Sequence, residues 1–342
     1  MKAFVVTKYE HPSQIPLDEN APEPKVGKNQ VLVDVHSAAC NFFDILSAQG
    51  KYQAKPPFPF VLGGEFAGTI SQSSPIPPGC PFARGQRVFG GGALGAYAER
   101  LATPWTALQP LPDALTFDQG AGLYMTYPTS YEALVGRAKL QPGEWVLVLA
   151  AAGGVGLCAV QLAKALGGKV IAACSPSKLS VTIEQGGADY AVDYTKKDWQ
   201  KEVMQITGGK GVQVVYDPVG KIRESLKCIA WGGRAIVVGF AGGEIEKIPM
   251  NLVLLKNCSL VGVFWGSYIE KNPAHIPEVW KALQELLSSG RVKPSVYAKT
   301  YTLGTVGQAL SDLENRKTWG KAVVRVRDEQ GREVKEDVQA KL

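Results

Sequence analysis

The chain is poor in the residues that hold metals, cross membranes or address a protein elsewhere. Three histidines, His11, His36 and His275, are scattered through 342 residues and share no ligand spacing. The six cysteines, at positions 40, 80, 158, 174, 228 and 258, contain no C-x-x-C pair, which excludes a four-cysteine zinc lobe and reads as buried thiols in a reducing compartment. No run of about eighteen apolar residues occurs, so no membrane span is expected. Neither a signal peptide nor an Arg-rich transit segment precedes Met1-Lys2-Ala3-Phe4-Val5-Val6, which reads as a first strand, and the expectation is a cytoplasmic address. No long basic run accompanies the net charge of +6. That charge can help attract an anionic ligand but is weak ground for nucleic acid. There is no internal repeat. The remainder, 45% hydrophobic and 20% charged, is the makeup of a soluble globular protein long enough for two domains.

What is present is concentrated in one segment. Val146-Leu147-Val148-Leu149 is a short apolar run that breaks at Ala150-Ala151-Ala152-Gly153-Gly154-Val155-Gly156 and resumes at Leu157 as a pattern with helical spacing. A buried parallel strand, a glycine turn and a helix form the unit that holds a dinucleotide pyrophosphate. Gly153 and Gly154 let the backbone approach phosphate oxygens, and Gly156 lets the helix lie against the strand. The helix start offers N–H groups and the positive end of a dipole. The pattern is A-x-G-x-x-G, with Ala151 at the usual first glycine, and Ala152 and Val155 complete the turn. Flanking segments alternate: Lys169 to Ala173 is strand-like, Ser177 to Gly186 helical, Val212 to Tyr216 a strand ending in Asp217, and Ala235 to Gly239 another strand. Repeated βαβ units predict an α/β fold with a doubly wound parallel sheet and a ligand at the carboxyl ends of its strands.

The end of the second strand discriminates between cofactors. An NAD site places Asp or Glu about twenty residues beyond the glycines, whereas this chain reads Cys174-Ser175-Pro176-Ser177-Lys178, with no acid before Glu184. Without that carboxylate nothing repels a 2′-phosphate, and Ser175 and Lys178 supply a hydroxyl and a cation to receive it. The expectation is NADPH over NADH. A competing use of Ser175 and Ser177 is to cap the following helix.

Texture divides the chain. Residues 1 to about 120 are rich in Pro, Gly and short β-like runs (Gln30 to His36, Gly68 to Ser71, Gln86 to Gly90), a β-rich domain. The expected boundaries put 1–122 and 265–342 in that domain and 123–264 in the cofactor domain. Pro273 to Ser289 reads as a helix with Ile276, Val279, Trp280, Leu283, Leu286 and Leu287 in helical spacing. Tyr297 to Tyr301 and Lys321 to Arg327 read as returning strands. The charged residues from Arg327 onward read as a frayed tail.

From Met1 to about Val326 the chain resembles the medium-chain dehydrogenase/reductase superfamily, in particular its zinc-free quinone oxidoreductase (zeta-crystallin-like) branch. The resemblance is carried by Asn41-x-x-Asp44 with Gly50-x-Tyr52, Pro59-x-x-x-Gly63-Gly64-Glu65-x-x-Gly68, Gly85-x-x-Val88, the glycine turn, Asp217-x-Val219-Gly220 and Gly232-Gly233-Arg234. Val238-Gly239-Phe240-Ala241-Gly242-Gly243 and Asn251-x-x-Leu254-Leu255-Lys256 look particularly like this branch. The resemblance implies a GroES-like catalytic domain and a Rossmann domain with NADPH held between them. It implies hydride transfer to a quinone or activated enone, with Asn41 and Tyr52 lining the substrate side. On the cofactor side, Tyr194 is expected beside the adenosine phosphate and Arg316 at the 2′-phosphate. Backbone groups around Val238, Gly239 and Phe240 and around Phe264 to Gly266 would hold the carboxamide. Zinc members of the superfamily carry Cys at the position of Asn41, His at that of Gly64 and a second Cys near Met125, so an enzyme of this branch polarises its acceptor by hydrogen bonds.

Two other functions stay open. Asn41-x-x-Asp44, Gly50-x-Tyr52 and Lys55-Pro56 also resemble 2-enoyl thioester reductases, in which the tyrosine is the proposed proton donor. Some relatives serve as lens crystallins or bind RNA, for which this chain offers only mild positive charge and no aromatic-basic platform. Homodimerisation is implied by the resemblance, with Cys258 to Phe264 as the candidate edge strand.

Overall fold

The computed structural model describes residues 1–92 and 94–334. It divides into two compact units, 1–125 with 296–342 and 126–295.

The first unit is built on β-strands. Its strands are β1 (Val5–Val6), β2 (Gln30–Ala39), β3 (Phe60–Val61), β4 (Glu65–Ile70), β5 (Arg87–Gly91), β6 (Arg100–Pro104) and β7 (Leu108–Pro110). The long β2 is the hub: it pairs antiparallel with both β4 and β6, and β4 passes the sheet on to β5 and β7. β1 and β3 form a separate two-stranded ribbon. Val31, Val33 and Val35 of β2 lie in one apolar core with Phe66, Ile70 and Val88 from the neighbouring strands. The helix Phe42–Ala48 leaves β2 directly through Cys40 and Asn41, and so fixes the position of the Asn41-x-x-Asp44 motif.

The second unit is a parallel sheet of β8 (Trp145–Leu149), β9 (Lys169–Cys174), β10 (Tyr190–Asp193), β11 (Val212–Asp217), β12 (Ile229–Val237) and β13 (Ser259–Gly262). Their spatial order is β10-β9-β8-β11-β12-β13, all pairs parallel. This is the 3-2-1-4-5-6 order of a Rossmann sheet, whose strand order reverses between its first and fourth strands and opens a crevice there for a ligand. Val146, Leu147, Val148 and Leu149 of the central strand are fully buried, as expected for a strand covered on both faces.

The chain re-enters the first unit only at Val296, not at residue 265 as the texture suggested. The reason is the helix Ile276–Ser288, whose apolar residues Val279, Trp280, Leu283, Leu286 and Leu287 are buried and which packs in the second unit against the helix Thr126–Tyr131. The first boundary likewise falls after Met125 rather than at 122. The returning segment contributes β14 (Val323–Arg325), antiparallel to β2. Tyr297 to Tyr301 forms single bridges, Val296 to Lys321 and Tyr301 to Val324, instead of a full strand.

The charged tail is ordered further than its composition indicates. Arg327 donates to the carbonyls of Val35 and Glu99, each at 2.7 Å, bridges to Glu333, and Glu333 pairs with Lys2. Residues 335–342 of that tail lie outside the described residues. Among the described residues, no helix is long and apolar enough to cross a membrane.

Candidate cofactor and acceptor sites

In the second unit the expected cofactor residues fall on the carboxyl ends of neighbouring strands. After Leu149 the chain turns through Ala150, which adopts a left-handed φ of 47°, and Gly153 N–H closes the turn on the Ala150 carbonyl at 2.9 Å. The helix Gly154–Ala165 then begins, so the N–H groups of Gly154, Val155 and Gly156 have no acceptor within the helix. A Cβ on Gly156 would stand 2.3 Å from the Ala150 oxygen; only glycine lets the helix start this close to the strand end. At Gly153 the same atom would meet nothing nearer than 3.3 Å, which leaves the outer side of the turn open. Beneath it, Ser130 Oγ lies 3.3 Å from the Val155 carbonyl and 2.8 Å from the Tyr216 hydroxyl. Burial pushes that phenol's pKa well up, so the pair is a neutral brace for the turn. An open glycine turn at a helix start suits a dinucleotide pyrophosphate.

Ser175 and Tyr194 leave β9 and β10 side by side, since Asp193 is in register with Cys174 and Tyr194 N–H reaches the Cys174 carbonyl at 3.3 Å. Ser175 makes no capping hydrogen bond to the turn Pro176–Lys178 that follows, so the competing use anticipated for it is not taken up. The Lys178 ammonium acts on the Cys174 thiol, which burial pushes up to about 11 against that cation's opposing pull. Lys178 thus stands at the same strand end. The sequence reading missed Lys221, whose ammonium lies 5.8 Å from the Tyr194 ring centre. Its only signal was its place in the turn after Asp217. Asp217 itself organises that turn, accepting from the N–H groups of Val219 at 2.7 Å, Gly220 at 2.9 Å and Lys221. Val238, Gly239 and Phe240 follow β12, laced to the same turn through Val238 N–H on the Asp217 carbonyl at 2.9 Å. Phe264 follows β13 and is 66% exposed.

Asn41, Tyr52 and Arg316 belong to the first unit. Arg316 follows the helix Val306–Glu314 with a left-handed φ of 57°. Tyr52 comes after the Gly50 turn, its N–H on the Leu46 carbonyl at 3.2 Å and its ring 5.6 Å from that of Phe43. Its hydroxyl has no hydrogen-bond partner among the described residues. The Phe43 ring tip lies 2.1 Å from where a Cβ on Gly64 would be, so it fills the space into which a residue-64 side chain would project.

Asn41 is differently placed. Its Nδ2 donates to Glu65 Oε1 at 3.0 Å and to the Ala39 carbonyl at 3.3 Å, and its Oδ1 accepts from Lys321 at 2.8 Å. Both amide hydrogens are committed inside the unit. Glu65 is fully buried, its Oε1 2.6 Å from the Lys321 ammonium and its Oε2 accepting from Met125 N–H at 2.9 Å. Lys321 also donates to the Cys40 carbonyl at 3.0 Å. Asp44 accepts through Oδ2 from Asn41 N–H at 2.9 Å and from the Tyr97 hydroxyl at 2.7 Å, while its Oδ1 is buried without a partner among the described residues. Burial pushes this carboxyl up to about 7 and the neighbouring Cys40 thiol up to about 12.

Comparison with known proteins places this architecture. Residues 27–113 match the alcohol dehydrogenase GroES-like domain and residues 154–287 the zinc-binding dehydrogenase domain. The chain is 41% identical over 304 residues to the quinone oxidoreductase-like protein 2 homolog of Nematostella vectensis, covering 87% of this chain and 82% of the relative. The chain belongs to the quinone oxidoreductase branch of the medium-chain dehydrogenase/reductases. Two solved structures superpose over 95% of the chain. One is a probable oxidoreductase from Mycobacterium abscessus, with a TM-score of 0.86, 34% identity and 98% of that chain covered. The other is Escherichia coli quinone oxidoreductase complexed with NADPH, with a TM-score of 0.82, 29% identity and all of that chain covered at 100%. Asn41 and Gly64 are the residues that the resemblance sets at two zinc-ligand positions, and no group of three His, Cys, Asp or Glu side chains suited to hold a metal ion is found among the described residues.

Proposed function

We propose that this oxidoreductase is an NADPH-dependent reductase of quinones or activated enones. The observation that carries the cofactor half is the group at the ends of β9 and β10: a serine hydroxyl not used as a cap, a lysine and a tyrosine, with no carboxylate in the segment 174–178. That group fits a 2′-phosphate, the open glycine turn fits the pyrophosphate, and the chain after β12 and β13 offers backbone at Val238, Gly239, Phe240 and Phe264 for the carboxamide. Arg316 is assigned to the same phosphate by resemblance. NADPH as the ligand of the Escherichia coli structure supports this reading.

When bound, the cofactor supplies a hydride from its nicotinamide ring. The protein's share is positioning and the proton. Tyr52 is the residue for the proton, because its hydroxyl is uncommitted whereas the Asn41 amide is spent on Glu65 and Ala39. A quinone becomes a hydroquinone by gaining that hydride and one proton. An enoyl thioester is saturated by the same two transfers, and the free Tyr52 hydroxyl keeps this second acceptor class in view.

The test is loss of nicotinamide absorbance when protein meets NADPH and an ortho-quinone, with NADH and an enoyl thioester as comparators. Turnover with the quinone and NADPH, and at least about tenfold slower with NADH, is expected from a charge-assisted phosphate site. Lys178→Ala and Arg316→Ala should raise KM for NADPH and leave that for NADH unchanged; equal effects on both would show the phosphate is held elsewhere. Turnover confined to the thioester would transfer the assignment to enoyl reduction.

We also propose a homodimer joined at β13. That strand is the edge of its sheet, and Met250, Leu254 and Leu255 of the helix Met250–Lys256 are each at least 67% exposed. An unpaired edge beside exposed apolar side chains is a template for a second copy. A monomeric mass by light scattering at micromolar concentration would reject it.

A further inference from the structure

A π-helical turn, Glu132–Arg137, ends the helix that precedes β8, with Ala138 N–H bonded back to the Ala133 carbonyl at 2.8 Å. Such turns are rare and cluster at functional sites. Here both ends of the turn grip one distant segment. At the far end, Arg137 Nε donates to the carbonyl of Gly262, the last residue of β13, at 2.9 Å. At the near end, the Glu132 side chain is 6% exposed and both its oxygens are taken. Oε1 accepts from the Tyr268 hydroxyl at 2.8 Å and Oε2 from His275 Nε2 at 2.9 Å. The Tyr268 ring is stacked on Trp265, with centres 4.9 Å apart. Residues 263–267, the loop leaving the carboxyl end of β13, are therefore clamped at 262, 265, 268 and 275. Gly136 makes the clamp possible, since a Cβ there would sit 2.1 Å from Glu132 Oε1.

We infer that Glu132 is a positioning residue for the nicotinamide end of the cofactor, acting through Tyr268 and His275 on the loop 263–267. In a sheet of this order the ligand lies along the carboxyl ends of the strands. The 2′-phosphate group of residues belongs to β9, four strand spacings or about 19 Å from β13, so the clamped loop serves the opposite end of the ligand. The inference rests on the NADPH reading of the site. It adds that binding at this end depends on a buried carboxylate no part of which touches the ligand.

The clamp carries a pH dependence of its own. His275 Nδ1 also faces Glu278 at 2.9 Å, and the Arg137 charge acts on Tyr268. The hydrogen bond that His275 donates to Glu132, and after it the one to Glu278, raise the ring's pKa above its ordinary value. A doubly protonated ring donates to both carboxylates, whereas a neutral ring donates to only one. The clamp is therefore complete below the raised pKa and loosens as pH rises through it.

The experiment compares NADPH with adenosine 2′,5′-bisphosphate, which keeps the phosphates and lacks nicotinamide, by fluorescence titration and competition. Glu132→Gln and Tyr268→Phe should weaken NADPH about tenfold, the worth of one hydrogen bond to a charged group, and leave the bisphosphate within twofold. In the wild type the ratio of the two dissociation constants should shift in the same direction between about pH 6 and about pH 9, and His275→Gln should flatten it. Because the His275 side chain is 31% exposed, that variant tests the idea even if Glu132→Gln fails to fold. Equal weakening of both ligands, or a ratio indifferent to His275, would overturn the inference. Failure of the wild type to bind either ligand would instead overturn the cofactor reading.

Discussion

Replacing Lys321 by methionine should cost the first unit about 3–5 kcal/mol, the largest loss expected from any single side chain here, because it strands a buried carboxylate without its cation. Glu65 is fully buried, and Lys321 is the cation beside it at 2.6 Å. The substitution also removes the donor to Asn41 Oδ1 and to the Cys40 carbonyl. In a domain of this size that is a fall in melting temperature of roughly 10 °C. The double variant Lys321→Met with Glu65→Gln should recover most of the loss, since a neutral amide can still accept from Met125 N–H. Denaturant titration of the two variants decides the matter. A loss under about 1 kcal/mol in the single variant, or no recovery in the double, would mean the pair is not the buried couple its geometry describes.

The second large effect is expected at the glycine turn, where Gly153 and Gly156 should differ in what they cost the fold. Gly156→Ala puts a methyl 2.3 Å from the Ala150 carbonyl oxygen, and the next atoms it meets, at 2.9 Å, are also backbone. No side chain can swing aside, so the start of the helix must move, at about 3 kcal/mol or more. NADPH binding should fall at least about a hundredfold as the N–H groups lose their alignment. Gly153→Ala meets only one atom, at 3.3 Å, from a φ of −77° that alanine accepts. It should keep its melting temperature and lose affinity alone, through a methyl on the face that phosphate would approach. Melting curves alongside NADPH fluorescence titrations separate the two. If Gly156→Ala proved as stable as the wild type, the helix would not be packed against the strand at that point.

How much of this was legible in the sequence depended on how local the determinant was. The strand, turn and helix from Val146 to Leu166 are contiguous, and their apolar run and glycines announced them. The four residues of β10, Tyr190–Asp193, were not recognised as a strand: Tyr190 is 47% exposed and the segment has no apolar run. Its place in the sheet comes from pairing with β9. Lys221 was missed for a related reason, since nothing near it in sequence says that its ammonium will meet the ring of Tyr194. The apolar stripe of Ile276–Ser288 showed that this helix packs, but not against which unit, hence the displaced boundary. The commitment of the Asn41 amide depends on Glu65 and on Lys321, which is 280 positions away; no spacing rule reaches that far.

That separation also bears on how the chain is made. Residues 126–295 are continuous, so the dinucleotide unit can complete its sheet while the ribosome is still reading the rest. The other unit has residues 1–125 in hand before it but lacks β14 and Lys321 until the continuous unit has been made. Until then the Glu65 carboxylate must stay hydrated, which holds open the segment around it. Of the two units, the one begun first is thus the last to close, and the interval is one in which the free side of β2 is exposed to a chaperone or a neighbouring strand.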